Sequence, residues 1–241
     1  MRIQDIPQVS SDDCTVYIVG TGPSLRCMDL AFLASKTTIG LNQAWKHLPT
    51  TYSITVHPEL VLDYQMANVA HKTQWVIKKK PPMEKLELGD PNYYVFGTDY
   101  EVTSVVRRPA DTLYLGEGVQ TCAMDLAARM GARFVVLVGC DAGSLGGDYH
   151  AHDQHVRWLG MQPADQYKLY RDTTAAVRTE LRKLGVSVYS LSPFIGATAA
   201  AEDYARLKAE LNLPALPAPV DTSTYKRDPK TIRTGKPKTK R

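Results

Sequence analysis

The sequence predicts an α/β fold: one mainly parallel sheet with helices on both faces. Three observations predict it. Short apolar, β-branched runs alternate with segments of helical spacing, the pattern of parallel strands joined by covering helices. The run Phe134–Val138 is apolar at every position, which suits a strand buried on both faces. The first run breaks into Gly20-Thr21-Gly22-Pro23-Ser24, where glycines let the backbone approach a ligand and a following helix N-terminus attracts an anion.

The elements follow in order. Thr15–Val19 reads as the first strand, with a helix near Met28–Ala34. Thr38–Leu41 is a second strand ending at Asn42, and Tyr52–Val56 a third ending at His57-Pro58. A helix near Glu59–Ala70 leads to a fourth strand, Gln74–Lys78. Lys79–Tyr114, broken by Pro81, Pro82, Pro91 and Pro109, is irregular apart from a short strand at Tyr93–Phe96; its length makes it a candidate substrate-facing region. Val119, Cys122, Ala123, Leu126 and Met130 recur on one helical face, and Gly131 closes that helix. Phe134–Val138 ends in Gly139-Cys140-Asp141, and a long loop runs to about Met161. A helix around Gln166–Leu184 precedes a last strand, Val186–Leu191, and a terminal helix is expected at Ala199–Asn212.

This divides the chain into a single α/β domain (1–212), a Pro-rich linker (213–220) and a tail (221–241). Overall charge is +4, but the tail concentrates it: Lys226, Arg227, Lys230, Arg233, Lys236, Lys238, Lys240 and Arg241 stand against Asp221 and Asp228. Such a tail lacks the apolar surface to fold alone and is expected to be disordered. It is either a solubilising terminus or an arm that binds nucleic acid by counterion release. Hydrophobic content of 44% is that of a globular protein, and no apolar run approaches the ~18 residues of a membrane span. The polar start of the chain shows no signal peptide, so a cytoplasmic location is expected (host cytoplasm, were the chain phage-encoded). The cysteines, Cys14, Cys27, Cys122 and Cys140, lack CxxC spacing and read as reduced thiols.

In a parallel sheet, ligands lie beyond the carboxyl ends of the strands. The residues there are Gly20–Ser24, Asn42, His57 and Cys140–Asp141, polar groups from four segments converging on one crevice. The segment Asp148-Tyr149-His150-Ala151-His152-Asp153-Gln154-His155 holds three of the six histidines. Imidazole titrates near physiological pH and is the usual proton acceptor, so His150, His152 and His155 are candidate bases, with Asp141 and Asp148 as bases or orienting groups. Asp148 and the three histidines also suit a divalent ion, but loop spacing of this kind is not diagnostic, and no metal set is assigned. The bland alternatives are a solvent-facing loop, and an Asp141 that only caps a turn. Trp158 and Tyr167 suit stacking on a base or sugar as well as core packing, and Arg107-Arg108 suits phosphate as well as a solvated charge pair.

Three motifs in order carry a resemblance: Ile18-Val19-Gly20-Thr21-Gly22-Pro23-Ser24-Leu25, then Gly118-Val119-Gln120-Thr121-Cys122-Ala123-Met124-Asp125-Leu126-Ala127, then Val136-Leu137-Val138-Gly139-Cys140-Asp141 running on to Gly146-Gly147-Asp148-Tyr149-His150-Ala151. Over roughly residues 15–195 the chain resembles the bacterial lipooligosaccharide sialyltransferases, and the uncharacterised-domain family of motility accessory factors linked to nonulosonic acid transfer. The resemblance implies a Rossmann-like variant of the GT-A architecture and a nucleotide-sugar donor. It implies donor contacts at Gly20, Gly22, Pro23, Ser24, Asn42 and Tyr149. Thr21 and His57 stand where the sialyltransferases have asparagines, and Glu117 where they have a serine before Gly118. Their catalytic histidine falls near Lys168–Tyr170, where this chain has none, so the resemblance fixes neither sugar nor base.

The function expected is glycosyl transfer from a nucleotide sugar to a hydroxyl, with hydroxymethylated DNA bases, a glycan or a protein as acceptor. The same uncharacterised-domain family is related to 6-hydroxymethylpterin pyrophosphokinases, which makes pyrophosphate transfer from ATP with magnesium an alternative. A non-catalytic nucleotide-binding module with a nucleic-acid tail is another.

Overall fold

A computed structural model describes residues 1–9, 14–79, 93–145, 148, 150–151, 163–191 and 225–226. Eight strands form one sheet: β1 (Thr15–Val19), β2 (Thr38–Leu41), β3 (Tyr52–Thr55), β4 (Gln74–Lys78), β5 (Tyr93–Asp99), β6 (Thr112–Tyr114), β7 (Phe134–Val138) and β9 (Ser187–Ser190). Their order is β6-β5-β4-β3-β2-β1-β7-β9, and every neighbouring pair is parallel. The chain therefore winds outward from β1 to β6, crosses back to β7 beside β1, and finishes at β9. β1 and β7 flank the switch point, where connections leave in opposite directions and a crevice opens beyond the strand ends.

Strand alternation sorts the core into two layers. Val16 and Ile18 of β1, with Val135 and Leu137 of β7, pack under α3 (Val119–Arg129) and α4 (Pro163–Lys183). Tyr17, Val19, Val136 and Val138 face the other way, against Leu25, Leu33 and Leu48. Four β7 side chains (Val135, Val136, Leu137 and Val138) are fully buried, each contributing about 1.5–3 kcal/mol. On that second face, beyond β2, α1 (Glu59–Met66) brings Val61 against Trp45, Trp75 and Ile77. The expected architecture, a parallel sheet with helices on both faces, is the one observed.

Three local readings are corrected. The helix near Met28–Ala34 is two short 3-10 turns, Pro23–Cys27 and Ala31–Ser35. Leu25, Met28, Phe32 and Leu33 recur at spacings that two three-residue-per-turn segments satisfy as well as one helix. The irregular Lys79–Tyr114 segment contains more structure than proposed: the strand expected at Tyr93–Phe96 runs on to Asp99 as β5, and the short helix α2 (Ser104–Arg107) and the edge strand β6 follow it. None of its described residues lines the cleft below, because this edge lies five strands from β1. Arg107 pairs there with Glu101 and Asp99, and Arg108 donates to the Ala128 carbonyl.

Besides β6, two further strands were not expected from the sequence. β8 (Ser144–Leu145) and β10 (Tyr225–Lys226) pair antiparallel, bringing a point of the basic tail onto the chain just after Gly143. The expected helix at 199–212, the linker and the rest of the tail lie outside the described residues. Among the described residues no helix is long and apolar enough to cross a membrane. Among the described residues Cys14, Cys122 and Cys140 form no disulfide, and burial pushes the thiol pKa values of Cys122 and Cys140 well up.

Candidate functional site

A cleft of about 180 Å3 opens at the β1/β7 switch point. Its floor is made by two strand exits that nearly touch. Gly20 N–H donates to the Val138 carbonyl and Gly22 N–H to the Gly139 carbonyl, each at 2.7 Å. A Cβ on Gly20 would run into the Gly139 carbonyl oxygen, so the close approach requires glycine. Gly139 itself has a φ of +61° and presses against Leu25.

Asp141 locks this floor. Its carboxylate accepts the Ser24 N–H at 2.7 Å and the Ser24 hydroxyl at 2.5 Å, and both residues are buried. The loop is thereby changed from the phosphate cradle its sequence suggested. The amides of Gly20, Gly22 and Ser24 are directed into the protein, and Pro23 has none. The five-residue 3-10 turn that follows is not an extended helix N-terminus. The α-helix whose N-terminus reaches the cleft is α3, through Val119, Gln120 and Thr121. Gly116 and Gly118 keep that entrance thin: a Cβ on Gly116 would meet Thr173 at 2.8 Å, and one on Gly118 would meet Tyr170 at 3.1 Å.

Asn42 lines the cleft from the end of β2, where its φ of 51° is the left-handed conformation asparagine tolerates best. The Thr55 hydroxyl donates to Asn42 Oδ1 at 3.0 Å, which orients the side-chain amide. Ala142, with a φ of 44°, also lines the cleft; such strain in non-glycine residues gathers at functional sites.

Opposite, His150 and Ala151 lie over the loop. Ala151 N–H donates to the Thr21 carbonyl at 2.8 Å, and Thr21 Oγ1 and His150 Nδ1 share a hydrogen bond of 2.9 Å. Burial holds the His150 imidazole below its ordinary pKa of 6.5, an effect reinforced by the charge of His47 and partly opposed by its hydrogen bond to Thr21. Asp148 is exposed and ion-paired to Arg26. α4 closes the cleft with Tyr167, Tyr170, Thr173 and Thr174. Burial raises the Tyr170 hydroxyl pKa, with Glu117 adding to the effect, so this phenol stays protonated at neutral pH. Gln120 Nε2 donates to Thr174 Oγ1 at 2.9 Å, joining α3 to α4 across the cleft.

The structure thus brings together Gly20, Thr21, Gly22, Asn42, Gly118, Cys140, Asp141, His150 and Tyr167 of the residues singled out from sequence, with Ser24 beneath them as the partner of Asp141. Pro23 is buried in the same loop. His57 and Glu117 do not line the cleft: His57 is exposed and 3.3 Å from Glu59, and Glu117 is exposed at the rim. Tyr149, His152, His155 and Trp158 lie outside the described residues. Among the described residues no three of His, Cys, Asp and Glu are grouped to share a metal ion. Tyr170, Gln120 and Thr174 were missed. For Tyr170 and Thr174 the signal was the helical stripe Tyr167, Tyr170, Thr174, Val177 and Leu181 on α4, polar at one end and apolar at the other; Gln120 belongs to the first turn of α3.

Fold and cleft define a class: a doubly wound α/β protein whose eight-stranded sheet is parallel throughout, with a polar crevice at its switch point. No family model and no curated protein sequence matches the chain. Solved structures do. The sialyltransferase CST-II in complex with a trisaccharide acceptor and CMP is 16% identical with a TM-score of 0.44, over 77% of this chain and 87% of that one. The monofunctional α-2,3-sialyltransferase Cst-I from Campylobacter jejuni is 14% identical with a TM-score of 0.47, over 97% and 93%.

Proposed function

We propose that the chain is a nucleotide-sugar-dependent glycosyltransferase whose donor occupies the β1/β7 cleft. The observation that supports it is the convergence on one cleft of His150 with polar groups from the β1, β2 and β7 strand ends and from α3 and α4. In the transfer step the acceptor oxygen bonds to the anomeric carbon, the bond from that carbon to the donor phosphate oxygen breaks, and the nucleotide leaves with the electron pair. The leaving phosphate gains negative charge, which the N-terminus of α3 and the Asn42, Gln120 and Tyr170 donors are suited to receive. His150 is the base. With its proton on Nδ1 donated to Thr21 Oγ1, Nε2 takes the acceptor proton. Asp141 supports the floor through Ser24 and is not assigned the proton transfer.

A thermal-shift screen of UDP-, CMP-, GDP- and ADP-sugars tests the reading. One donor should raise the melting temperature increasingly with the logarithm of its concentration, and no shift with any of them contradicts it. The rate should also depend on pH in a defined direction. Only the neutral imidazole accepts a proton, and burial keeps His150 neutral to below 6.5, so the acid limb of kcat/KM should fall below that pH. A limb above 6.5 places the base elsewhere. Stability should follow the same sign. The unfolded chain binds the His150 proton more readily, so stability declines as pH drops from about 6.5 through the lower folded value.

For the acceptor, we infer a hydroxyl on a polyanion, hydroxymethylated DNA, from the eight basic residues of the tail and the β8–β10 pairing that ties Lys226 beside the cleft wall. Deleting residues 221–241 should weaken duplex DNA binding by about tenfold or more and flatten its salt dependence. Unchanged binding leaves a glycan or a protein as the acceptor.

A further inference from the structure

One exposed side chain outside the cleft organises its wall. Arg26 sits on the 3-10 turn after the Gly20–Ser24 loop and does not line the cleft. Its guanidinium nevertheless reaches the segment bearing His150 at three points. Nε donates to the Ala151 carbonyl at 2.9 Å, Nη2 to the His150 carbonyl at 2.9 Å, and Nη1 to the Asp148 carboxylate at 2.5 Å. The same residues then close on the loop, through the Ala151 N–H to the Thr21 carbonyl and the His150 Nδ1 contact with Thr21 Oγ1.

We propose that Arg26 is a positioning residue that clamps Asp148, His150 and Ala151 onto the Gly20–Ser24 loop and thereby sets the place of the His150 imidazole in the cleft. This rests on reading His150 as the group that acts there. The Asp148 ion pair contributes little alone, since both side chains are about half exposed and water screens them. The two carbonyl contacts matter more. Gripping the consecutive carbonyls of His150 and Ala151 fixes the peptide between them, and with it the root of the imidazole. A planar guanidinium fork can do this, whereas a lysine ammonium keeps the charge and loses the geometry. Held down, the imidazole is shielded from water; released, it becomes solvated. The other charged groups around it are His47, whose charge opposes its protonation, Asp141 in the same cleft, and the Arg26–Asp148 pair itself.

Amide hydrogen exchange at Ala151 and an NMR titration of the His150 ring, both on the full chain without ligand, test the clamp. In Arg26→Ala the Ala151 amide should exchange about tenfold faster or more, and the His150 midpoint should rise toward its ordinary value. Arg26→Lys should resemble Arg26→Ala. Asp148→Asn keeps both carbonyl contacts and should stay near wild type. If Arg26→Ala leaves the exchange rate and the midpoint unchanged, the clamp is overturned, even where the melting temperature drops. Neither readout involves a substrate, so failure to find glycosyl transfer counts against the functional reading alone.

Discussion

His150→Gln is expected to lower turnover by about 10²–10⁴-fold while donor affinity changes only a few-fold. The expectation follows from where the imidazole is and what holds it. Thr21 Oγ1 bonds Nδ1, and the segment beneath is pinned by the Ala151–Thr21 bond, so the ring is fixed before any substrate arrives. Burial keeps it neutral, the form a base must have at the start of the reaction. Glutamine can still bond Thr21 and preserve the wall, but it does not take up a proton near neutral pH. Single-turnover rates and donor titrations on the two proteins separate chemistry from binding. Equal rates would remove His150 from the proton transfer and point to the segment beyond Ala151.

The second large effect is on stability. Asp141→Ala should lower unfolding free energy by about 3–5 kcal/mol, because two buried hydrogen bonds to a charged acceptor are lost together. For a domain of this size that is about 10 °C or more in melting temperature. The loss should not stay local. Asp141 holds Ser24, and Ser24 belongs to the turn that places Leu25 against Gly139 and Arg26 against Asp148, His150 and Ala151. Donor-induced stabilisation should disappear along with the floor. Asp141→Asn separates the two roles: it keeps one acceptor oxygen for Ser24 but sets an amide N–H₂ against the second donor, so about half of the loss is expected. A wild-type melting temperature for Asp141→Ala would contradict the description of this aspartate as the lock of the floor.

Much of the framework was readable because its signals are local. β-branched runs such as Phe134–Val138 state their own burial, and parallel strands separated by helical spacing leave few topologies open. Strand exits carrying Gly20–Gly22, Asn42 and Asp141 then announce the crevice. What stayed hidden depends on partners far along the chain. Ser24 and Asp141 are 117 positions apart, and nothing near either one tells that the loop amide meets a carboxylate instead of a ligand. Arg26 looks like any exposed arginine until the His150 and Ala151 carbonyls are in place. The Met28–Ala34 misreading has a different cause, since a three-residue repeat mimics a short helix when only four apolar positions define it. His57 misled because a strand-end position was taken as sufficient, whereas its side chain turns outward to Glu59.

Backbone amide chemical-shift mapping with CMP, UDP, GDP and ADP, one at a time, tests the placement of the donor nucleotide most directly. One of them should perturb Thr21, Asn42, Val119–Thr121 and Gly139–Gly143 together, in a saturable way, because these residues share the cleft at the switch point. Perturbations confined to another surface, or none with any of the four, would contradict a donor site between β1 and β7.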